Sequence, residues 1–332
     1  MREVLDKNLY QQFVDFVNEN ELIKSGDRLV VAVSGGADSV CLFYLLLKFA
    51  KEHDIDLIVA HYNHSMRGRE AIRDEKFVQE LAEKEGTEFV CERATKGQIK
   101  GEESARNFRY NFLEKITGER GGDWIAVAHN KNDLAETLLL NLVRGTGIKG
   151  IRSIPVRRDR IIRPLLFAKR FEIEKYLRDR KISFCHDKTN DSPAFSRNFF
   201  RQSILPQLEK VNPRVIDSLE RTAKIAQSYD DFVSNIAVSE IEKISRKEGK
   251  AVIVERKKFI KLSPVIQSEI VRILAEKFKF KTDFSSTHVD EILELIKNNV
   301  GKKHKLIAQR LKFELKSGKI IVTAQNKHEI AL

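Results

Sequence analysis

Arg28-Leu29-Val30-Val31-Ala32-Val33-Ser34-Gly35-Gly36-Ala37-Asp38-Ser39-Val40-Cys41-Leu42 packs a buried strand, a glycine turn and the start of an apolar helix into fifteen residues. Arg28 to Val33 is an unbroken β-branched run of the kind found in parallel strands covered on both faces. The turn that follows lets successive backbone N–H groups and the N-terminus of the next helix converge on an anion. Glycines allow phosphate close to the backbone, and the hydroxyls of Ser34 and Ser39 add donors. Asp38 would repel a bare phosphate. A carboxylate at this position makes sense if it holds a magnesium ion that bridges to the phosphates.

The pattern recurs outward from this segment. An amphipathic helix is expected over Val4 to Asn18, a second strand over Asp56 to His61, a helix over Glu70 to Glu85 and a short strand over Thr87 to Cys91. A helix over Glu102 to Ile116 and a strand over Asp123 to Ala128 complete the set. Strands alternating with helices predict a doubly wound, mostly parallel α/β sheet whose ligands sit at the carboxyl ends of its strands. Ser34, His61 and His129 all follow such ends. Beyond Gly150 come a Pro-containing stretch (Ile154-Pro155, Arg163-Pro164), a helix over Lys169 to Arg180 and a polar loop from His186 to Ser196.

Asn212-Pro213 punctuates the chain, giving an expected catalytic domain over 1–212 and a smaller, mainly helical domain over 213–332. In the second part, Arg214 to Lys247 reads as one or two long helices, followed by helices near Pro264 to Lys279 and Thr287 to Asn298. Leu306 to Glu314 and Lys319 to Ala324 alternate as strands do, and Ser317-Gly318 between them marks a β-hairpin.

No Gly-x-x-x-x-Gly-Lys-[Ser/Thr] motif occurs, which argues against a kinase or ATPase of the usual P-loop kind. Gly145-Thr146-Gly147-Ile148-Lys149-Gly150 matches the dinucleotide fingerprint in letters, but it follows the helical run Leu134 to Arg144 rather than a strand, so a nicotinamide cofactor is discounted. Cys41, Cys91 and Cys185 are too scattered for a disulfide framework or a zinc or iron–sulfur site. No apolar stretch approaches membrane-spanning length, and Met1 to Tyr10 is unlike a signal peptide, so a cytoplasmic location is expected. The 332-residue chain carries a net charge of +12. Pro213 to Leu332 holds 24 Lys and Arg against 16 Asp and Glu, most of the excess, which suits a polyanionic partner. Arg256-Lys257-Lys258 and Lys302-Lys303-His304-Lys305 are the densest basic clusters.

Ser34-Gly35-Gly36-Ala37-Asp38-Ser39 resembles the pyrophosphate loop of N-type ATP pyrophosphatases, whose adenine nucleotide alpha hydrolase-like fold agrees with the strand pattern. That superfamily includes GMP synthetase, NAD synthetase, tRNA thiolases and tRNA(Ile)-lysidine synthetases, and the loop alone does not choose among them. Four further segments are similar, in order, to the lysidine synthetases. They are His61-Tyr62-Asn63-His64-Ser65-Met66-Arg67; Glu102-Glu103-Ser104-Ala105-Arg106-Asn107-Phe108-Arg109-Tyr110; Ala128-His129-Asn130-Lys131-Asn132-Asp133-Leu134-Ala135-Glu136-Thr137 with Arg144-Gly145-Thr146-Gly147; and Asp187-Lys188-Thr189-Asn190 with Arg197-Asn198-Phe199-Phe200-Arg201 and Ile204-Leu205-Pro206. In the third segment the family usually shows His-His and Asp-Asp, where this chain has His129-Asn130 and Asn132-Asp133. Asn130 is therefore assigned no catalytic role. After Pro213 the resemblance loosens, and no room is expected for the extra C-terminal domain of longer members.

The resemblance implies a ligase that adenylates the first anticodon cytidine of a tRNA(Ile) with a CAU anticodon and then transfers L-lysine to its C2. Ser34, Gly35, Gly36, Ala37, Asp38 and Ser39, with Arg144 and Gly145, would bind ATP, and Asp38 would hold Mg2+. Arg106, Arg109 and Arg201 are candidates for the cytidine, the α-phosphate or the AMP leaving group, since guanidinium forks match phosphate oxygens. Asp133 and Glu136, one helical turn apart, could face the amines of lysine. His129 suits general-base work near neutral pH. A homodimer is left open.

Overall fold

The computed structural model describes residues 8–65, 68–95, 97–185, 196–278, 284–298, 304–307 and 311–324. The chain divides into two compact units, Met1–Ile225 and Ala226–Leu332.

The first unit is built on a six-stranded sheet in the order β3-β2-β1-β4-β6-β5, formed by β1 (Arg28–Ala32), β2 (Asp56–Asn63), β3 (Glu88–Arg93), β4 (Trp124–Ala126), β5 (Arg157–Arg158) and β6 (Ile161–Ile162). All pairings are parallel except β5 with β6. The helices are α1 (Leu9–Glu19), α2 (Ala37–His53), α3 (Arg69–Lys84), α4 (Glu102–Glu119), α5 (Lys131–Val143), the short α6 (Ile148–Ile151) and α7 (Arg170–Asp179). After the chain passes 196, α8 (Ser196–Phe199), a π-helical turn (Phe200–Ile204) and α9 (Leu205–Val211) follow without a break. The expected doubly wound sheet is thus present.

β1 is apolar throughout because it is covered on both faces. Leu29, Val31 and Val33 join one core cluster with Phe13, Leu42, Phe43 and Ile173, while Val30 joins another with Ile58, Phe112, Leu113 and Ile125. Each such fully buried aliphatic side chain contributes roughly 1.5–3 kcal/mol. β2 and β4 flank β1, so the chain leaves β1 toward opposite edges of the sheet in successive crossovers. A topological switch point results, with a crevice above the carboxyl ends of β1 and β4.

The long helix α10 (Val215–Ile244) leads into the second unit. The sequence had suggested helix to Lys247, but the chain turns at Ser245 into β7 (Ser245–Glu248), which pairs antiparallel with β8 (Ala251–Glu255). After α11 (Arg256–Phe259), α12 (Pro264–Lys277) and α13 (Ser286–Asn298) come β9 (His304–Ile307), β10 (Leu311–Lys316) and β11 (Lys319–Ala324). The five strands form one antiparallel sheet, β7-β8-β11-β10-β9. The predicted hairpin is present: Lys316 pairs with Lys319 across Ser317 and Gly318, both at positive φ, the geometry of a two-residue primed turn. Phe313, Val322 and Val254 face Ile270, Leu274 and Ile292 in this unit's own core. Among the described residues no helix is long and apolar enough to cross a membrane.

Candidate active site

The turn after β1 closes on itself through side chains. Ser39 Oγ donates to the Gly36 carbonyl at 2.9 Å and receives the Ser34 N–H at 3.2 Å, and the two serine hydroxyls lie 3.2 Å apart. Gly35 sits at φ +93°, a conformation a side chain would strain, so this position requires glycine. Ala37, Asp38 and Ser39 form the first turn of α2, whose N–H groups have no partner within the helix. Ser34, Asp38 and Ser39 line a cavity of about 680 Å³. Of the predicted loop residues, Ser34, Asp38 and Ser39 line this cavity, and Gly35, Gly36 and Ala37 do not.

Asp38 is half-buried, and one of its carboxylate oxygens, Oδ1, is itself buried with no hydrogen-bond partner. Burial, and next the charge of Asp133, push its pKa up to about 6. Among the described residues no group of three or more His, Cys, Asp or Glu side chains could hold a metal unaided. Asp38 could anchor a cation only together with ligand oxygens and water.

On the far wall, His129 follows β4 and Asn130 caps α5. Asn130 Oδ1 accepts the Asp133 N–H, and Asp133 Oδ2 accepts the Asn130 N–H, both at 3.0 Å, a reciprocal capping box. Asn132 Oδ1 accepts the Arg170 N–H at 3.0 Å and so ties α5 to the start of α7. Both asparagines that depart from the family pattern thus serve backbone N–H groups. Asn130→Ala is expected to lower stability by about 1 kcal/mol, measured by urea unfolding, through loss of the cap.

The two acids of α5 are not free for a ligand as they stand. Arg201 grips Glu136 with both arms of its fork, Nε to Oε1 at 2.6 Å and an Nη to Oε2 at 3.0 Å, and also reaches Asp133 Oδ1 at 3.1 Å. Arg197 donates to Thr137 at 2.7 Å and lies 3.8 Å from Glu136. The Glu136 side chain is wholly buried, and that burial raises its pKa.

A cluster of cations surrounds His129. Arg106 and Arg109 of α4 sit 5.3 and 5.5 Å from the centre of the Tyr110 ring. Burial lowers the pKa of Arg109. Arg163, at the carboxyl end of β6, is almost fully buried, and donates to the Pro155 carbonyl at 2.7 Å and to His129 Nδ1 at 3.1 Å. Burial, then Arg163, Arg109, Arg106 and Arg197, hold the His129 pKa well below its ordinary value. Four guanidinium groups around one neutral imidazole make a site for an anion, since no carboxylate among the described residues pairs with Arg106, Arg109 or Arg163.

Of the residues expected from sequence, Asp38, Arg109, His129 and Arg201 line the cavity with Ser34 and Ser39. Asp133 and Glu136 stand behind Arg201, and Arg106 adjoins His129 through its field. Arg144 and Gly145 lie apart from the cavity lining, exposed at the end of α5, and the fingerprint-like glycines follow a helix, as expected. Met66, Arg67 and Asp187 to Asn190 fall outside the described residues. Arg163 was missed. Its signal was an arginine directly after two buried isoleucines at a strand's carboxyl end. In the second unit, Arg256 donates to the Ile296 and Lys297 carbonyls at the end of α13, which caps that helix. Lys302 and Lys303 lie outside the described residues.

Residues 5–208 match the family described as PP-loop domain. The tRNA(Ile)-lysidine synthase of Clostridium perfringens (strain 13 / Type A) is 34% identical over 300 residues, covering 88% of this chain and 64% of that protein. The tRNA(Ile)-lysidine synthase of Clostridioides difficile (strain 630) is 32% identical over 325 residues, covering 95% of this chain and 70% of that protein. The chain thus spans about two-thirds of the length of the curated relatives it matches. Among solved structures, the U34-tRNA thiolase NcsA from Methanococcus maripaludis superposes with a TM-score of 0.54 at 19% identity, over 65% of this chain and 78% of that one, a likeness of fold.

Proposed function

Given that this chain belongs to the tRNA(Ile)-lysidine synthase family of PP-loop proteins, we propose that it joins L-lysine to C2 of the first anticodon cytidine of a tRNA(Ile) with a CAU anticodon. ATP is consumed, and AMP and pyrophosphate are released. The observation that carries this reading is the cavity that joins the phosphate loop to the arginine cluster within one crevice. One wall suits a leaving pyrophosphate and the other a second anion, as two-step adenylation demands.

In the first step the cytidine O2 attacks the α-phosphorus, the bond to the bridging oxygen breaks, and pyrophosphate leaves into the loop from Ser34 to Ser39. The loop's N–H groups and serine hydroxyls hold it. Magnesium fits here: the orphaned, buried Asp38 Oδ1 offers one hard oxygen, and phosphate oxygens and water supply the rest of the shell such an ion takes. When bound it would neutralise charge on the phosphates. Arg109 and Arg106 face the α-phosphate from α4.

In the second step the neutral ε-amine of lysine attacks C2, and the C2–O bond breaks to release AMP. The amines of lysine compete with Arg201 for Asp133 and Glu136. Residues 1–212 form the catalytic part in this reading, and the basic residues 213–332 take hold of the tRNA backbone. A tRNA substrate accords with the cytoplasm as the site of action.

The test incubates the protein with ATP, radioactive lysine and transcripts of the CAU isoleucine tRNA and the methionine tRNA. Lysine is expected to enter the first and not the second. Absence of incorporation by folded protein refutes the reading, and pyrophosphate release without lysine transfer would assign the loop to another PP-loop chemistry.

A further inference from the structure

We infer that Arg163 is a positioning residue that fixes His129 as a neutral Nε2–H tautomer, so that His129 donates a hydrogen bond into the cavity and accepts no proton during the reaction. The inference rests on the adenylating reading above for what the donor faces, and on geometry for the tautomer. Arg163 Nε carries a hydrogen and donates it to His129 Nδ1 at 3.1 Å. A ring nitrogen that accepts must hold its lone pair there, so the ring hydrogen is on Nε2. The opposite tautomer would set two N–H groups against each other in a buried site.

Arg163 is itself held. Its side chain is 2% exposed, an Nη donates to the Pro155 carbonyl at 2.7 Å, and Tyr110 lies beside it. Leu165 and Ile162, its neighbours in sequence, are buried in the sheet's core. The guanidinium therefore has little freedom to withdraw from the imidazole. His129 Nε2 has no hydrogen-bond partner among the described residues, and the ring lines the cavity.

The charges that act most strongly on the imidazole are cations, Arg163 after β6, Arg109 and Arg106 from α4, and Arg197 from α8; Asp38 of α2 and Arg201 line the same cavity, and Asp133 of α5 is engaged by Arg201 and the Asn130 N–H. A positive charge on the imidazole would meet repulsion from each of those four arginines, which disfavours its use as a general base. A neutral donor is what that field tolerates. Such a donor, with the arginines, stabilises the charge that gathers on the α-phosphate oxygens as the bond to pyrophosphate breaks. No proton moves to the ring in that step. In the second step the proton shed by the lysine ε-ammonium passes to water, and the imidazole leaves the cycle as it entered.

Glutamine offers a conservative replacement, because its carbonyl can accept from Arg163 while its amide N–H donates to the cavity, and it cannot act as a base. His129→Gln is expected to retain adenylation, read as pyrophosphate release with tRNA, at least tenfold above His129→Ala. The alanine variant is expected to fall by roughly 10²–10³-fold, the usual loss for one charge-stabilising donor. Equal loss in both variants would overturn the donor role. The tautomer is read separately on free, isotope-labelled protein by nuclear magnetic resonance of the imidazole nitrogens, with His129→Gln assigning the signal. An unprotonated Nδ1 and protonated Nε2 are expected in the wild type through neutral pH, and a protonated Nδ1 would overturn the inference. Arg163→Met should mix the tautomers. If that variant fails to fold, the wild-type spectrum and the two His129 variants still decide. Because the spectrum needs no substrate, failure of the lysidine reading, seen as absent lysine incorporation by wild-type protein, is distinguishable from failure of this one.

Discussion

Asp38→Asn is expected to abolish pyrophosphate release while making the folded protein more stable. Asparagine keeps the shape of the side chain but removes the charge that would anchor a cation on the leaving phosphates. Loss of that anchor is worth several kcal/mol at the transition state, or on the order of 10³-fold in rate. The stability effect runs the other way. Burial raises the carboxyl pKa from 3.8 to about 6, so the folded state binds the proton more tightly than the unfolded chain does. A raised acid pKa means that stability is full below the unfolded value and is lost as pH climbs from about 4 to about 6. At neutral pH the ionised carboxylate then costs about 2–3 kcal/mol. The asparagine variant should show a higher Tm at neutral pH and a flatter dependence of stability across that window, both measurable by thermal unfolding. In the wild type, magnesium with ATP should recover much of the cost and raise Tm, and in the variant it should not. A variant that kept wild-type pyrophosphate release would remove Asp38 from the site.

Glu136→Ala is expected to be the most destabilising single change behind the cavity wall. Arg201 holds both oxygens of this wholly buried carboxylate, and removing one partner of a buried pair typically costs about 3–5 kcal/mol because the other charge is left uncompensated. Asp133 can take only part of the load, since its Oδ2 is committed to the Asn130 N–H. Glu136→Gln, which keeps an acceptor for Arg201, should lose less. Urea unfolding measures both. If lysine shares these carboxylates, the glutamine variant should also raise KM for lysine more than it lowers pyrophosphate release. Equal effects on the two half-reactions would count against a lysine pocket at this point.

The same residues show what can be read along a chain. β1, the loop and α2 were legible because each rests on local rules: an unbroken β-branched run, a glycine at positive φ, and a helix beginning within six residues. The hairpin at Ser317-Gly318 was legible for the same reason. β7 was not, since Ser245 to Glu248 is charged and exposed and its register comes from pairing with β8, not from alternation of its own. The resemblance drew attention to Arg201 and Glu136, but nothing in their spacing says that they face each other.

Sequence by itself determined the parallel sheet and the phosphate loop, because strand hydrophobicity and turn chemistry act over a few residues, whereas the strand order that makes the switch point came from the structure. Only the tertiary structure decided how the charges are paired. Arg201 stands on a π-helical turn and meets a carboxylate 65 residues earlier, and Arg163 meets an imidazole 34 residues earlier. Such partners are fixed by the packing of α5 against the α8–π–α9 segment and by the placement of β6 beside β4, and a few ångströms of packing separate a free catalytic base from a ring locked as a donor.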